Sequence, residues 1–216
     1  MRRFGARATL AAVALALVAV PFGLLLILVQ SKWHPLLSVD RGARDDLHRY
    51  AVHHHWFVDA MKAFSAAGSA PVYWIVFTVL ALWLLRHGRP RLAAFAIVTI
   101  LGSAVLNGLV KLAVDRARPV LPDPVAHANG MSFPSGHAQS AIVAYAVLLL
   151  VLRPRSRGAR VAAVLIAGVM VAAIGFSRVA LGVHYVSDVL AGYALGAAWV
   201  VATVAAFNAR PVTAAA

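Results

Sequence analysis

The sequence predicts an all-α integral membrane protein, a bundle of six transmembrane helices with an interfacial helix on the outer (periplasmic or extracellular) side between the first two spans. Three observations carry this. Of 216 residues, 62% are hydrophobic and only 12% charged, whereas a soluble domain carries about 25% charged residues. The apolar residues gather into six runs separated by polar connections. The arginines crowd into alternate connections, the asymmetry that orients a chain across a bilayer.

The first run, Thr9–Val29, is uncharged and long enough to cross a hydrocarbon layer of about 30 Å. Its start resembles the basic region of a signal peptide. The run exceeds a cleavable apolar core, and no small-x-small site follows, so it reads as a retained anchor. Pro21 inside it is tolerable where neighbouring helices satisfy the freed carbonyl. The further runs are Ser69–Leu85, Leu92–Val114, Ala138–Leu152, Val161–Phe176 and Val189–Phe207. Ala138–Leu152 and Val161–Phe176 are short for a span, so their helices are expected to continue into flanking polar residues at headgroup depth.

Six crossings put both termini on one side, together with the turns Arg86–Arg91 and Arg153–Arg157. The segments on that side hold Arg2, Arg3, Arg7, Arg86, Arg89, Arg91, Arg153, Arg155, Arg157, Arg160 and Arg210 and no acidic residue. All seven acidic residues, Asp40, Asp45, Asp46, Asp59, Asp115, Asp123 and Asp188, fall in or beside the other connections. Basic flanks are retained in the cytoplasm. The reading is a multi-pass protein of the plasma (inner) membrane with cytoplasmic termini. The net charge of +13 is then topology, not a nucleic-acid surface. With no cysteine, disulfides and thiolate metal sites are excluded. The length suits one domain over 1–216.

On the outer side, Leu47, Tyr50, Phe57, Met61 and Phe64 recur at roughly helical spacing, which predicts an amphipathic helix on the membrane within Ser31–Gly68. Asp115–His137 is rich in Pro and Gly and predicts irregular chain. Ser177–Ser187 is a short connection. Trp33, Trp56, Trp74 and Trp83 lie near span ends as interfacial anchors. His53–His55 are adjacent residues that point in different directions on a helix, so no shared metal is assigned. Asn107 is expected to bond within the bundle, and Gly182, Gly192 and Gly196 to permit close helix approach.

Ionisable residues at the membrane are functional candidates, and three clusters stand at outer ends of spans. Lys111 lies one turn inside the third span and Arg118-Pro119 just beyond it. Pro134-Ser135-Gly136-His137 leads into the fourth, where a helix start offers free N–H groups to an anion. Ser177-Arg178 precede the sixth, whose helix is expected to begin near His184; Asp188 then lies four residues on along the same face, where a carboxylate can hold one imidazole nitrogen and leave the other free. Three cations, neutral donors and two histidines suit a phosphoryl group in transfer. No clustered carboxylates are present to cage Mg²⁺, so no metal or cofactor is expected. These residues alone leave open whether His184 or His137 attacks, although the Asp188 pairing favours His184.

Lys111-x6-Arg118-Pro119, Pro134-Ser135-Gly136-His137 and Ser177-Arg178-x5-His184-x3-Asp188 resemble, without departure, the three-part signature of the type-2 phosphatidic acid phosphatase superfamily. This family of lipid phosphate phosphatases shares its site with vanadium haloperoxidases. The resemblance implies His184 as nucleophile forming a phosphohistidine, Asp188 as its orienting partner, and His137 as proton donor and then base. It implies Lys111, Arg118, Ser135, Gly136 and Arg178 as holders of the phosphate oxygens. Asp115 and Arg116 fall at variable positions of the first motif and receive no role. The expected enzyme is a metal-independent lipid phosphatase with an outward-facing site, a membrane lipid as substrate and the bilayer as its surroundings. Undecaprenyl diphosphate is the first choice of substrate and phosphatidylglycerophosphate or phosphatidic acid the alternative. Six apolar spans argue against a soluble haloperoxidase, and the intact histidines and Asp188 against a non-catalytic lipid-binding or transport protein.

Overall fold

The computed structural model describes the backbone of residues 2–208 and the side chains of residues 12–207. Arg210 and the side chains of Arg2, Arg3 and Arg7 lie outside these. The described chain is all helical: α1 Arg2–Gln30, α2 His34–His53, α3 His55–Ala67, α4 Ala70–Arg86, α5 Pro90–Val114, α6 Gly136–Leu152, α7 Arg157–Ala180 and α8 Val186–Asn208. Proline at the first or second position opens α2, α4 and α5, where its missing N–H would have no helical partner.

Helix α8 is central and packs on α1, α5, α6 and α7. The largest apolar core joins Tyr73, Phe77 and Leu84 of α4, Phe95 of α5 and Val143 and Val147 of α6, with Trp199 of α8 against it. A second core, around Phe133, seats α1 on α8. Glycines set the closest approach. A Cβ at Gly192 would lie 2.6 Å from the Ser135 carbonyl oxygen, and one at Gly196 would lie 2.9 Å from that of Gln139, so α8 meets the start of α6 backbone to backbone. Gly182 serves differently from the close approach expected of it. At φ +69 it makes the left-handed turn between α7 and α8.

The outside of the bundle is apolar as well. Leu17 of α1 is 70% exposed, Val105 of α5 63% and Val169 of α7 65%, a girdle that water would not tolerate but lipid would. Four single helices have the length and composition to cross a bilayer, and a fifth stretch, His55–Arg86, joins α3 and α4. The helix α6, at 17 residues, is shorter. The fold is that of a multi-pass membrane protein. The expected extension of short spans holds for α7, which reaches 24 residues, about 36 Å. It fails for α6, which gains only Gly136 and His137 because the turn at Arg153 (φ 41) ends it.

The two arginine-rich turns meet at one end, where Trp83, His87, Arg89, Arg153, Pro154 and Arg155 line one cavity. Arg91 donates to the Phe207 carbonyl over 2.5 Å, which brings the end of α8 to the same side. At the opposite end, the irregular loop 115–135 and the α7–α8 turn come together. The single interfacial helix expected over Ser31–Gly68 is two helices, broken at His54 (φ −133, ψ 84). Its apolar residues Leu47, Phe57, Met61 and Phe64 pack on Ala180, Leu181 and Val183 of that turn. The stripe read as facing lipid instead covers the polar end of the bundle, while Tyr50 remains exposed.

Candidate active site

All eight residues singled out by the three motifs lie at the polar end, and each is placed by local structure. Val186 opens α8, and the Asp188 carboxylate turns back to accept the backbone N–H of Tyr185 through Oδ2 at 2.9 Å. This is the reach-back of a capping box, and it brings Oδ2 to 3.3 Å from Nδ1 of His184. The His–Asp pair therefore arises from a capped helix start, with His184 in the preceding turn rather than on the helix as expected. Both side chains are buried.

The other nitrogen of His184, Nε2, stands 3.1 Å from Nη1 of Arg118. Nη1 also donates to the Val183 carbonyl at 2.7 Å, and Nε donates to the Gly130 carbonyl at 2.9 Å. Lys111 Nζ donates to the Met131 carbonyl at 2.5 Å. Two motif cations thus fold the loop 115–135 over the bundle end. Burial lowers Arg118 from its ordinary value. Burial also pushes the His184 imidazole down to about 4, with Asp188 opposing and Arg118 and Arg178 adding to the fall. A neutral imidazole that donates from Nδ1 to Asp188 carries its lone pair on Nε2.

The helix start Ser135-Gly136 departs from a simple cap. Ser135 occupies the N-cap position, yet its hydroxyl makes no capping bond and is buried without a partner. Its backbone N–H donates to the Asp188 carbonyl at 2.9 Å, which stitches the start of α6 to that of α8. Asn107, expected to bond within the bundle, donates to Gln139 at 2.7 Å, and Gln139 donates on to Ser103. A Cβ on Gly136 would meet Asn107 Oδ1 at 3.3 Å. His137, in the first turn of α6, lies within electrostatic range of Arg178, His184, Arg118 and Lys111. Arg178, in the last turn of α7, donates from Nη1 to Ser65 of α3, and its Nε is buried without a partner. The site thus holds two unsatisfied buried polar groups, one hydroxyl and one guanidinium N–H, where such groups ordinarily find partners.

Sequence reasoning passed over four residues here. Arg116 donates to Asp188 Oδ1 at 2.6 Å, to Ser187 Oγ at 2.7 Å and to Asp40 Oδ2 at 2.8 Å. Ser132 donates to Asp188 Oδ2. The charge of Arg116 within the first motif was visible in the sequence. Its partner Asp40, far off in α2, was not. A cavity of about 720 Å³ is lined by Arg116, Asp40, Lys32, Arg41, Arg44 and Tyr185 among others, and by none of the eight motif residues. His54, within the three-histidine run, bonds the Tyr50 carbonyl and stacks on its ring. Among the described residues, no group of three or more His, Asp or Glu converges as metal ligands.

Fold and site together define an all-helical multi-pass membrane protein with a cluster of basic and histidine side chains at one end of the bundle. Residues 91–211 match the PAP2 superfamily profile, and the chain belongs to that superfamily. A 95-residue stretch is 40% identical to phosphatidylglycerophosphatase B of Bacillus subtilis (strain 168), over 43% of this chain and 46% of that protein. The lipid A 1-phosphatase of Rhizobium johnstonii is 31% identical over 57% of this chain and 58% of its own. The chain thus spans about half the length of these two relatives. Undecaprenyl-diphosphatase BcrC of Bacillus subtilis is 30% identical over 64% of this chain and 69% of its own. The fold matches the crystal structure of a transmembrane PAP2-type phosphatidylglycerolphosphate phosphatase from Bacillus subtilis with a TM-score of 0.74. That match covers 90% of this chain and 98% of the other at 23% identity.

Proposed function

We propose that this protein is a lipid phosphatase that transfers the phosphoryl group of a membrane lipid to His184 and then to water. The observation that carries the reading is the placement of His184, with Nδ1 against the Asp188 carboxylate and Nε2 facing Arg118. Nε2 attacks phosphorus while the bond to the leaving oxygen breaks, and His137 delivers a proton to that oxygen. Water then attacks the phosphohistidine, His137 takes its proton, and the P–N bond breaks to release phosphate. Lys111, Arg118 and Arg178, with the Ser135 hydroxyl and the Gly136 N–H, hold the equatorial oxygens as charge develops. The buried, unpartnered Ser135 Oγ and Arg178 Nε are donors that a phosphate would satisfy.

The arginine-rich turns gathered at the opposite end support six crossings, a site facing outward and both termini in the cytoplasm. Undecaprenyl diphosphate is the first substrate to offer. Phosphatidylglycerophosphate is the second reading, favoured by the higher identity to a phosphatidylglycerophosphatase.

The test is phosphate release by purified protein in detergent with EDTA present. Undecaprenyl diphosphate, phosphatidylglycerophosphate and phosphatidic acid are compared for wild type and His184→Ala. Release that vanishes in the variant supports the reading, and relative kcat/KM ranks the substrates. Release that persists in His184→Ala, or that requires added Mg²⁺, overturns the mechanism.

A further inference from the structure

The mechanism above leaves Arg116 and Asp40 unused, although both are densely hydrogen-bonded at this end of the bundle. The Arg116 fork joins two carboxylates, Asp188 of α8 at 2.6 Å and Asp40 of α2 at 2.8 Å. The Asp40 side chain is 1% exposed, that of Asp188 0% and that of Arg116 12%. Asp40 also accepts the Ser187 backbone N–H at 2.9 Å and the Ser187 hydroxyl at 2.5 Å. The Arg116 guanidinium lies 4.2 Å over the Tyr185 ring, so it is held on three sides. Burying two carboxylates so completely is costly unless cations and donors compensate.

The division of labour at Asp188 is specific. Oδ1 takes Arg116, and Oδ2 takes the Tyr185 N–H, the Ser132 hydroxyl and the His184 ring. A carboxylate bonded on one oxygen alone can turn about its terminal torsion. One clamped on both cannot. Arg116 bonds the oxygen away from His184, and none of its hydrogen bonds reaches a group assigned to the phosphate.

We infer that Arg116 and Asp40 are positioning residues, which lock Asp188 in the rotation that orients His184 and so tie α2 to the chemistry. The inference rests on the phosphatase reading. It predicts a signature that packing alone does not produce. The charged and titratable groups acting on His184 are Arg118 of the loop, His137 of α6, Arg178 of α7 and Asp188 of α8, with Lys111 of α5 acting on Arg118 and Asp188 and with Arg116 and then Asp40 behind Asp188. Arg116→Gln removes a positive charge, eases protonation of His184, and moves the acid limb of kcat/KM to higher pH. Asp40→Asn removes a negative charge at nearly constant shape and moves that limb to lower pH.

The experiment measures kcat, KM, vanadate inhibition, Tm and the pH profile for wild type, Arg116→Gln, Arg116→Lys, Asp40→Asn and His184→Ala. Arg116→Gln should lose about ten- to a hundredfold in kcat, the range seen when outer partners of ligand histidines are removed. Its KM and vanadate inhibition should stay within about threefold. Arg116→Lys keeps the charge but not the fork, so its acid limb should return while kcat recovers only in part. Opposite shifts of the limb in Arg116→Gln and Asp40→Asn support the inference, and Asp40→Asn with Arg116→Lys carries the test if Arg116→Gln does not fold. Unshifted limbs with normal kcat overturn it, as does a loss confined to KM and vanadate binding, which would make Arg116 a phosphate ligand. An inactive wild type, or an active His184→Ala, instead overturns the phosphatase reading itself.

Discussion

Nη1 of Arg118 lies 3.1 Å from Nε2 of His184, so the cation proposed to hold a phosphate oxygen rests against the atom proposed to attack phosphorus. An incoming phosphate dianion offers Arg118 a better acceptor and frees the Nε2 lone pair as it binds. Arg118→Ala should therefore cost about 10²–10³ in kcat/KM, the scale of one lost transition-state donor. Vanadate inhibition should weaken alongside. Steady-state kinetics check both, and unchanged vanadate inhibition would remove Arg118 from the phosphate site.

The pH dependence follows from the burial of His184. Burial pushes its imidazole down to about 4 in the folded protein from about 6.5 in an unfolded chain. The acid limb of kcat/KM, which reports the free enzyme, should accordingly lie well below 6.5. Stability has the same sign. The folded state binds fewer protons between about 4 and 6.5, so the contribution of His184 is complete above 6.5 and is lost as pH falls through that window. Tm measured from pH 7 to pH 4 should fall in wild type, and fall less in His184→Phe.

Ser135→Ala separates function from folding. The hydroxyl has no partner and is buried, so deleting it removes an unmet desolvation cost. Tm should hold or rise. As an oxyanion donor its loss should lower kcat by about 10²-fold. A fall in Tm with normal kcat would return Ser135 to the role of helix cap.

Gly192→Ala tests the seam that carries the site. Its Cβ would press on the Ser135 carbonyl and the Ala138 side chain. Overpacking of this kind costs about 1–3 kcal/mol, which for a chain of this size lowers Tm by roughly 2–12 °C. Activity should fall with it, because α6 and α8 hold Ser135 and Asp188 in register. Scanning calorimetry and phosphate release on the same sample check the pair, and an unchanged Tm would mean that the helices part without strain.

The sequence by itself determined the long apolar helices, the end at which the arginine turns gather and the eight motif residues, but not the break that makes two helices of Ser31–Gly68. These follow from local rules, such as apolar run length, proline at helix starts and fixed spacing along one segment. Only the tertiary structure decided how those residues meet. His184 and Asp188 pair through a reach-back cap rather than a helix face, and the stripe of α2 and α3 covers the α7–α8 turn rather than lipid, because hydrophobic burial has no direction in sequence. Asp40 reaches Arg116 across 76 positions, and Ser132 reaches Asp188 across 56. Such buried polar contacts form only where packing excludes water and leaves each group a single set of partners, which no local pattern encodes.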